Sequence, residues 1–188
     1  AKALRGMDVT DQRGIDEKML LLDGTINKRK LGANAILGVS LACAHTAAKA
    51  KKMPLYSYLR LAFDLQYKKY KLPIATMNVL NGGAHAGWSL DFQEFMIVPQ
   101  QRLFKERVRC GAEVFHALGD ILRKKGHSTL KGDEGGYSAA LKKNEDAIKL
   151  IMLAIKKAGY TAGKDVFLAL DPAVSEVYVK KDNKYRLK

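Results

Sequence analysis

The apolar positions change their period near residue 71, and that change organises the rest of the chain. Before it, residues 16–22 read as a short helix stopped by Asp23-Gly24. Residues 31–52 form a second helix in which Gly32-Ala33-Asn34-Ala35-Ile36-Leu37-Gly38-Val39-Ser40-Leu41-Ala42-Cys43-Ala44 is small and apolar nearly all round, the pattern of a helix packed closely on more than one side. An oligomer contact would account for part of so wide an apolar surface. Lys49, Lys51 and Lys52 suit the helix end and Pro54 stops it. Residues 54–65 read as a third helix with Tyr58, Leu61 and Leu65 on one face, and polar residues 66–71 read as a linker.

After Pro73 the apolar runs shorten to strand length, at 74–80 and at 92–98, and Pro99 ends the second. Phe104, Val108, Gly111, Phe115, Leu118 and Leu122 then recur at spacings of three and four, which predicts a long amphipathic helix ended by Gly126. A loop carries Gly132-Asp133-Glu134-Gly135-Gly136-Tyr137. Asn144 reads as the N-cap of a further helix with Ile148, Ile151 and Ile155 inward and Gly159 at its end. The nearly continuous apolar run 166–170, finishing on Asp171-Pro172, suits a strand buried on both faces, as in a parallel sheet or barrel. Residues 177–185 read as a hairpin. The shift at Lys71 predicts two domains, 1–70 mostly helical and 71–188 with strands alternating with helices.

Composition narrows this picture only a little. Of 188 residues 47% are hydrophobic, enough for a globular core. No apolar run approaches membrane-spanning length and the start has no signal-peptide core, so a soluble cytoplasmic protein is expected. Cys43 and Cys110 each sit alone in a predicted helix, without disulfide or zinc spacing. The net charge of +14, from 33 basic and 19 acidic residues, raises a polyanion such as nucleic acid as a partner. The charge is scattered in doublets, though, such as Lys51-Lys52, Lys124-Lys125 and Lys156-Lys157. Solvated faces and helix C-termini are the preferred explanation of those, and a nucleic-acid partner is not expected.

The candidate chemistry gathers around Leu80-Asn81-Gly82-Gly83-Ala84-His85-Ala86-Gly87-Trp88-Ser89-Leu90-Asp91-Phe92-Gln93-Glu94-Phe95. A glycine turn leads to an imidazole and then to a carboxylate in apolar surroundings, where His85, Gln93 and Glu94 would have to be desolvated and paired. Asn81-Gly82-Gly83 alone reads equally as an ordinary turn. Alternation puts Glu94 on one strand face with Phe92, Met96 and Val98, so a solvent-facing Glu94 would expose all three. Glu134 lies in a glycine-rich loop. Asp171 ends an apolar strand, where a carboxylate is costly unless it meets a cation such as Mg²⁺. Carboxylates and an imidazole at one end of a barrel suit acid–base chemistry beside a metal.

In order and wording these features resemble the enolase family. The resemblance rests on residues 31–42, Met77-Asn78-Val79-Leu80-Asn81-Gly82-Gly83-Ala84-His85-Ala86, Asp91-Phe92-Gln93-Glu94-Phe95-Met96-Ile97-Val98-Pro99, Gly132-Asp133-Glu134-Gly135-Gly136-Tyr137 and Leu170-Asp171-Pro172-Ala173-Val174-Ser175-Glu176. It implies the end of an α+β N-terminal domain followed by the first part of a β/α barrel whose opening strands depart from simple alternation. It also implies the reversible Mg²⁺-dependent dehydration of 2-phosphoglycerate to phosphoenolpyruvate, in a homodimer or higher assembly. By position, Glu134 matches the family's proton donor and Glu94 its acidic partner near the leaving hydroxyl. His85 and Gln93 match substrate-contacting positions, His85 among the catalytic ones, and Asp171 matches the first of three metal carboxylates.

The family's other two metal carboxylates and its base lysine have no counterpart in these 188 residues. The stretch from Lys71 onward is about half of the roughly 250 residues that a complete barrel takes. The expectation is therefore a fragment holding part of the site and inactive alone; a shortened non-catalytic paralogue and a polyanion-binding module are the alternatives. Trp88 is unusual for a loop that ought to move, and Ser138-Ala139 stands where the family usually has Ala-Pro.

Overall fold

A computed structural model describes residues 2–66 and 69–187, so the predicted linker 66–71 lies partly outside the described residues. The chain divides into two compact units, Ala1–Tyr70 and Lys71–Lys188.

The first unit is helical among its described residues. Helix α1 (Gln12–Asp23) starts four residues before the predicted helix, because the Asp11 side chain accepts from the Gly14 N–H at 3.0 Å and caps it. Gly24, at φ 65°, ends it with its N–H on Leu20 O. Helix α2 (Ala33–Ala50) buries Ala44, Ala47 and Ala48 against Tyr58 of α3 (Leu55–Ala62). Its other faces are more open than the all-round apolar pattern suggests: Leu37, Val39 and Leu41 are exposed. Buried Gln12 ties α1 to α2 by donating to Ser40 O and Ser40 Oγ.

The second unit is an open mixed α/β sheet with helices against one face. Strands β1 (Met77–Asn81), β2 (Glu94–Pro99), β3 (Tyr137–Ser138) and β4 (Val166–Asp171) lie in the order β3-β1-β2-β4. β1 runs parallel to β3 and antiparallel to β2, and β2 is antiparallel to β4. Helices α4 (Phe104–Lys124) and α5 (Asn144–Lys157) cover the face on which Val79, Phe95 and Ile97 meet Cys110, Val114, Leu118, Leu122, Ile151 and Ile155. Each of these larger side chains contributes roughly 1.5–3 kcal/mol through burial. A short hairpin, β5 (Tyr178–Val179) with β6 (Lys184–Tyr185), follows.

Two expectations are corrected here. The run 166–170 is not buried on both faces, since β4 is an antiparallel edge strand with Phe167 and Leu170 exposed. An apolar run records the side chains a strand carries, not whether both neighbours are present. Asn144 is not the N-cap of α5 but its first residue, following an extended Lys143. Its side-chain oxygen accepts from the Phe92 N–H and its nitrogen donates to Asp91, so it anchors the segment leading into β2. The basic doublets at 51–52, 124–125 and 156–157 sit at the ends of α2, α4 and α5, where the helix dipole favours them. No helix among the described residues is long and apolar enough to cross a membrane.

Candidate active site

The strand register assembles a polar row at one end of the sheet. Ser138 lies opposite Asn81, Asn81 opposite Glu94, and Glu94 opposite Asp171. Residues directly opposite in register share a face. Because β2 is antiparallel to both neighbours, its first residue meets the last residues of β1 and β4, which gathers side chains from distant parts of the chain.

The turn after β1 is built to close tightly. Gly82 N–H donates to Gln93 O and Gly83 N–H to Leu90 O, pinning both ends of the loop. A side chain at Gly82 would lie 2.2 Å from Phe92 O, so glycine is a steric requirement there. His85 sits in a short 3₁₀ turn, Ala84–Ala86, and its Nδ1 meets Glu134 Oε1. The other Glu134 oxygen accepts from Asn78 Nδ2 at 2.8 Å. A register shift between Asn78 and Leu80 re-aims Asn78 toward the loop, as bulges do.

The loop carrying Glu134 is held against the first turn by missing side chains. Gly132 N–H donates to Gly136 O. A Cβ on Gly132 would meet His85 O at 2.9 Å, and one on Gly136 would meet Asn81 Oδ1 at 2.4 Å and Leu80 N at 2.9 Å. Asn81 fills the space between them: it is fully buried, and neither of its side-chain polar atoms has a hydrogen-bond partner. A buried polar group without partners weakens a fold by roughly 1–3 kcal/mol. Its position beside the acidic groups marks it as part of the site.

The two glutamates hold their protons differently. Burial, reinforced by the hydrogen bond to Glu134 and the charges of Glu134 and Asp171, pushes Glu94 up to about 7, against the opposing pull of His85. Burial also works against charge on Glu134. There the hydrogen bond with Glu94, the charge and hydrogen bond of His85, and the Asn78 amide prevail and hold the carboxyl below its ordinary value. Of the two, Glu94 is the one that favours its protonated form. An acid that gives up its proton near neutrality, hydrogen-bonded to an ionised carboxylate, is equipped for proton transfer.

The structure thus brings His85, Glu94 and Glu134 into contact and places Asp171 beside Glu94. The base of the Gln93 side chain packs on Gly83, 3.1 Å from where a Cβ would stand. Asp171 itself is exposed and accepts from the Ala173 N–H at 2.9 Å, so burial does not compel it to find a cation. The described residues contain no group of three or more His, Cys, Asp or Glu side chains able to hold a metal ion. Asp171 offers hard oxygen donors of the kind Mg²⁺ prefers, but the donor set is too small for a closed site and no chemical step is assigned to a metal. Asn78 and Asn81 escape a reading by pattern. Their one visible signal is polarity inside an apolar strand, where an amide needs a reason to be buried.

A sheet opened by an antiparallel strand pair, with helices on its outer face and acidic groups at one end, is the start of a β/α-barrel protein. Comparison with known families gives two matches, to Enolase, N-terminal domain, over residues 1–59, and to Enolase, C-terminal TIM barrel domain, over residues 69–188. The chain belongs to the enolase family, with its barrel incomplete.

Proposed function

We propose that this chain supplies the acid side of an enolase active site, one that interconverts 2-phosphoglycerate and phosphoenolpyruvate with Mg²⁺. The observation that carries the reading is the acidic cluster itself, with His85 and Asn78 on Glu134 and with Glu94, pushed up to about 7, opposite Asp171. Loss of the C3 hydroxyl as water needs a proton delivered to that oxygen, and a carboxylic acid that ionises near neutrality is suited to deliver it. Glu134 and Glu94 act together as the donor pair, Glu94 holding the proton in the free chain and Glu134 passing it on. His85 orients Glu134 and, with Gln93, contacts substrate. Asp171 contributes one carboxylate toward Mg²⁺, and the rest of the coordination shell and the base that removes the C2 proton come from outside these residues. The two domains divide at residues 70 and 71. Cytoplasmic location and assembly as a homodimer or higher oligomer belong to the same proposal for the whole protein.

The test is phosphoenolpyruvate formation followed by its ultraviolet absorbance. The 188-residue chain with Mg²⁺ gives none, because acid catalysis without a base leaves the C–H bond intact. In a complete enolase chain containing these residues, Glu134→Gln lowers kcat by about 100-fold or more. Unchanged turnover in that variant would remove Glu134 from the reaction.

A further inference from the structure

The loop that carries His85 is closed on itself, and one of its residues reaches outward. Trp88 N–H donates to Gly83 O at 2.7 Å, and Gly83 N–H donates to Leu90 O at 2.8 Å, so residues 83–90 form a single cross-braced loop. Its ends are fixed, by Gly82 on Gln93 O at one side and by Asn144 on Asp91 and Phe92 at the other. A loop braced in this way moves as a body if it moves at all, carrying His85 three residues from Trp88.

Trp88 is half-buried, and its backbone lies at φ 60°. That conformation is uncommon for a bulky residue and costs on the order of 1–2 kcal/mol, so something in the surroundings has to hold it. The surroundings are the 3₁₀ turn Val174–Val177 and the β5–β6 hairpin. Trp88, Val177, Tyr178, Val179 and Arg186 line a common cavity of about 220 Å³. The hairpin is itself braced: Tyr178 Oη donates to Asn183, Arg186 N–H donates to Val177 O, and Tyr178 and Tyr185 pack at 5.3 Å. It is thus a braced wall of the cavity that the indole also lines.

We propose that Trp88 is a positioning residue, seating loop 83–90 on the segment 174–186 and so fixing His85 against Glu134. The idea rests on the acid-pair reading of the site for its purpose, but not for its geometry. It gives the region after β4, which the acid pair does not use, a role in the site. Removing either wall of that cavity frees the loop to swing about its pinned ends, and His85 leaves Glu134.

The test is the rate at which diethylpyrocarbonate modifies each histidine of the full chain, read by mass spectrometry. His45, His116 and His127 serve as internal references, since none lies in the loop. Trp88→Gly is the informative variant, because glycine keeps the left-handed backbone while deleting the indole. Tyr178→Ala removes the other side. Both variants raise the His85 rate about tenfold and leave the reference rates within a factor of two, whereas Trp88→Phe restores the slow rate. An unchanged His85 rate in Trp88→Gly and Tyr178→Ala overturns the proposal. A uniform rise at all four histidines also overturns it, since that reports a loosened fold. If the modification rates behave as expected but Glu134→Gln leaves the turnover of the complete enzyme untouched, the seating of the loop stands and its catalytic purpose falls.

Discussion

At the scale of single residues, the proton on Glu94 has a consequence for stability. Its folded pKa is about 7 against an ordinary 4.5, so between those values the folded chain holds a proton that the unfolded chain has released. Stability therefore falls as pH rises from about 4.5 to about 7, and levels off above that. Glu134 works in the opposite sense: held below its ordinary value, it contributes stability that is present above about 4.5 and lost as pH falls through its folded pKa. The urea midpoint of the chain should decline between pH 5 and pH 7, and Glu94→Gln should flatten that decline. A decline of equal slope in the variant would place the proton elsewhere. His85, Glu94 and Glu134 are legible in the sequence because glycines and apolar neighbours isolate them. Asn78 and Asn81 are not, because a one-residue bulge decides which way an amide points and no periodic pattern records a bulge.

Among the elements, the glycine loop 132–136 makes the sharpest statement. Gly136 and Gly135 are neighbours with different reasons to be glycine. A methyl at Gly136 would strike Asn81 Oδ1 and the backbone of Leu80 and Val79, which has no slack, whereas Gly135 faces open space but sits at φ 85°. Gly136→Ala should cost about 3 kcal/mol by overpacking and Gly135→Ala about 1 kcal/mol by backbone strain, measured by denaturant unfolding. Equal costs would mean that the loop does not press on β1 as described. Phe95→Ala, in the middle of the sheet–helix core, should cost about 3–5 kcal/mol. The helices α4 and α5 follow directly from their apolar spacing. The orientation of β4 does not, because Val166–Asp171 would carry the same residues in a parallel or an antiparallel pairing, and only the register to β2 decides between them.

For the whole molecule, the open sheet matters most. Among the described residues β4 pairs within the sheet only with β2, and beyond the bridge of Val166 to Ala162 its outer edge is open, with Phe167 and Leu170 exposed. Unpaired edges attract other strands. The 188-residue chain should self-associate as its concentration rises, and Phe167→Lys together with Leu170→Lys should suppress it, as judged by sedimentation velocity. Association that ignores both substitutions would point to another surface, the exposed Leu37, Val39 and Leu41 of α2 being the obvious one. Each of the compact units Ala1–Tyr70 and Lys71–Lys188 gathers its apolar residues on its own account.

One feature of the His85 loop reaches beyond geometry. The chain has a single tryptophan, and it is Trp88. Light absorbed at the red edge of the aromatic band therefore excites this loop and nothing else, so the emission of the entire protein is the emission of one indole in the His85 loop. Its colour, lifetime and polarisation record whether the loop is seated, in real time and without any label. The residue that holds the histidine in place is also a lamp that shows when it has moved.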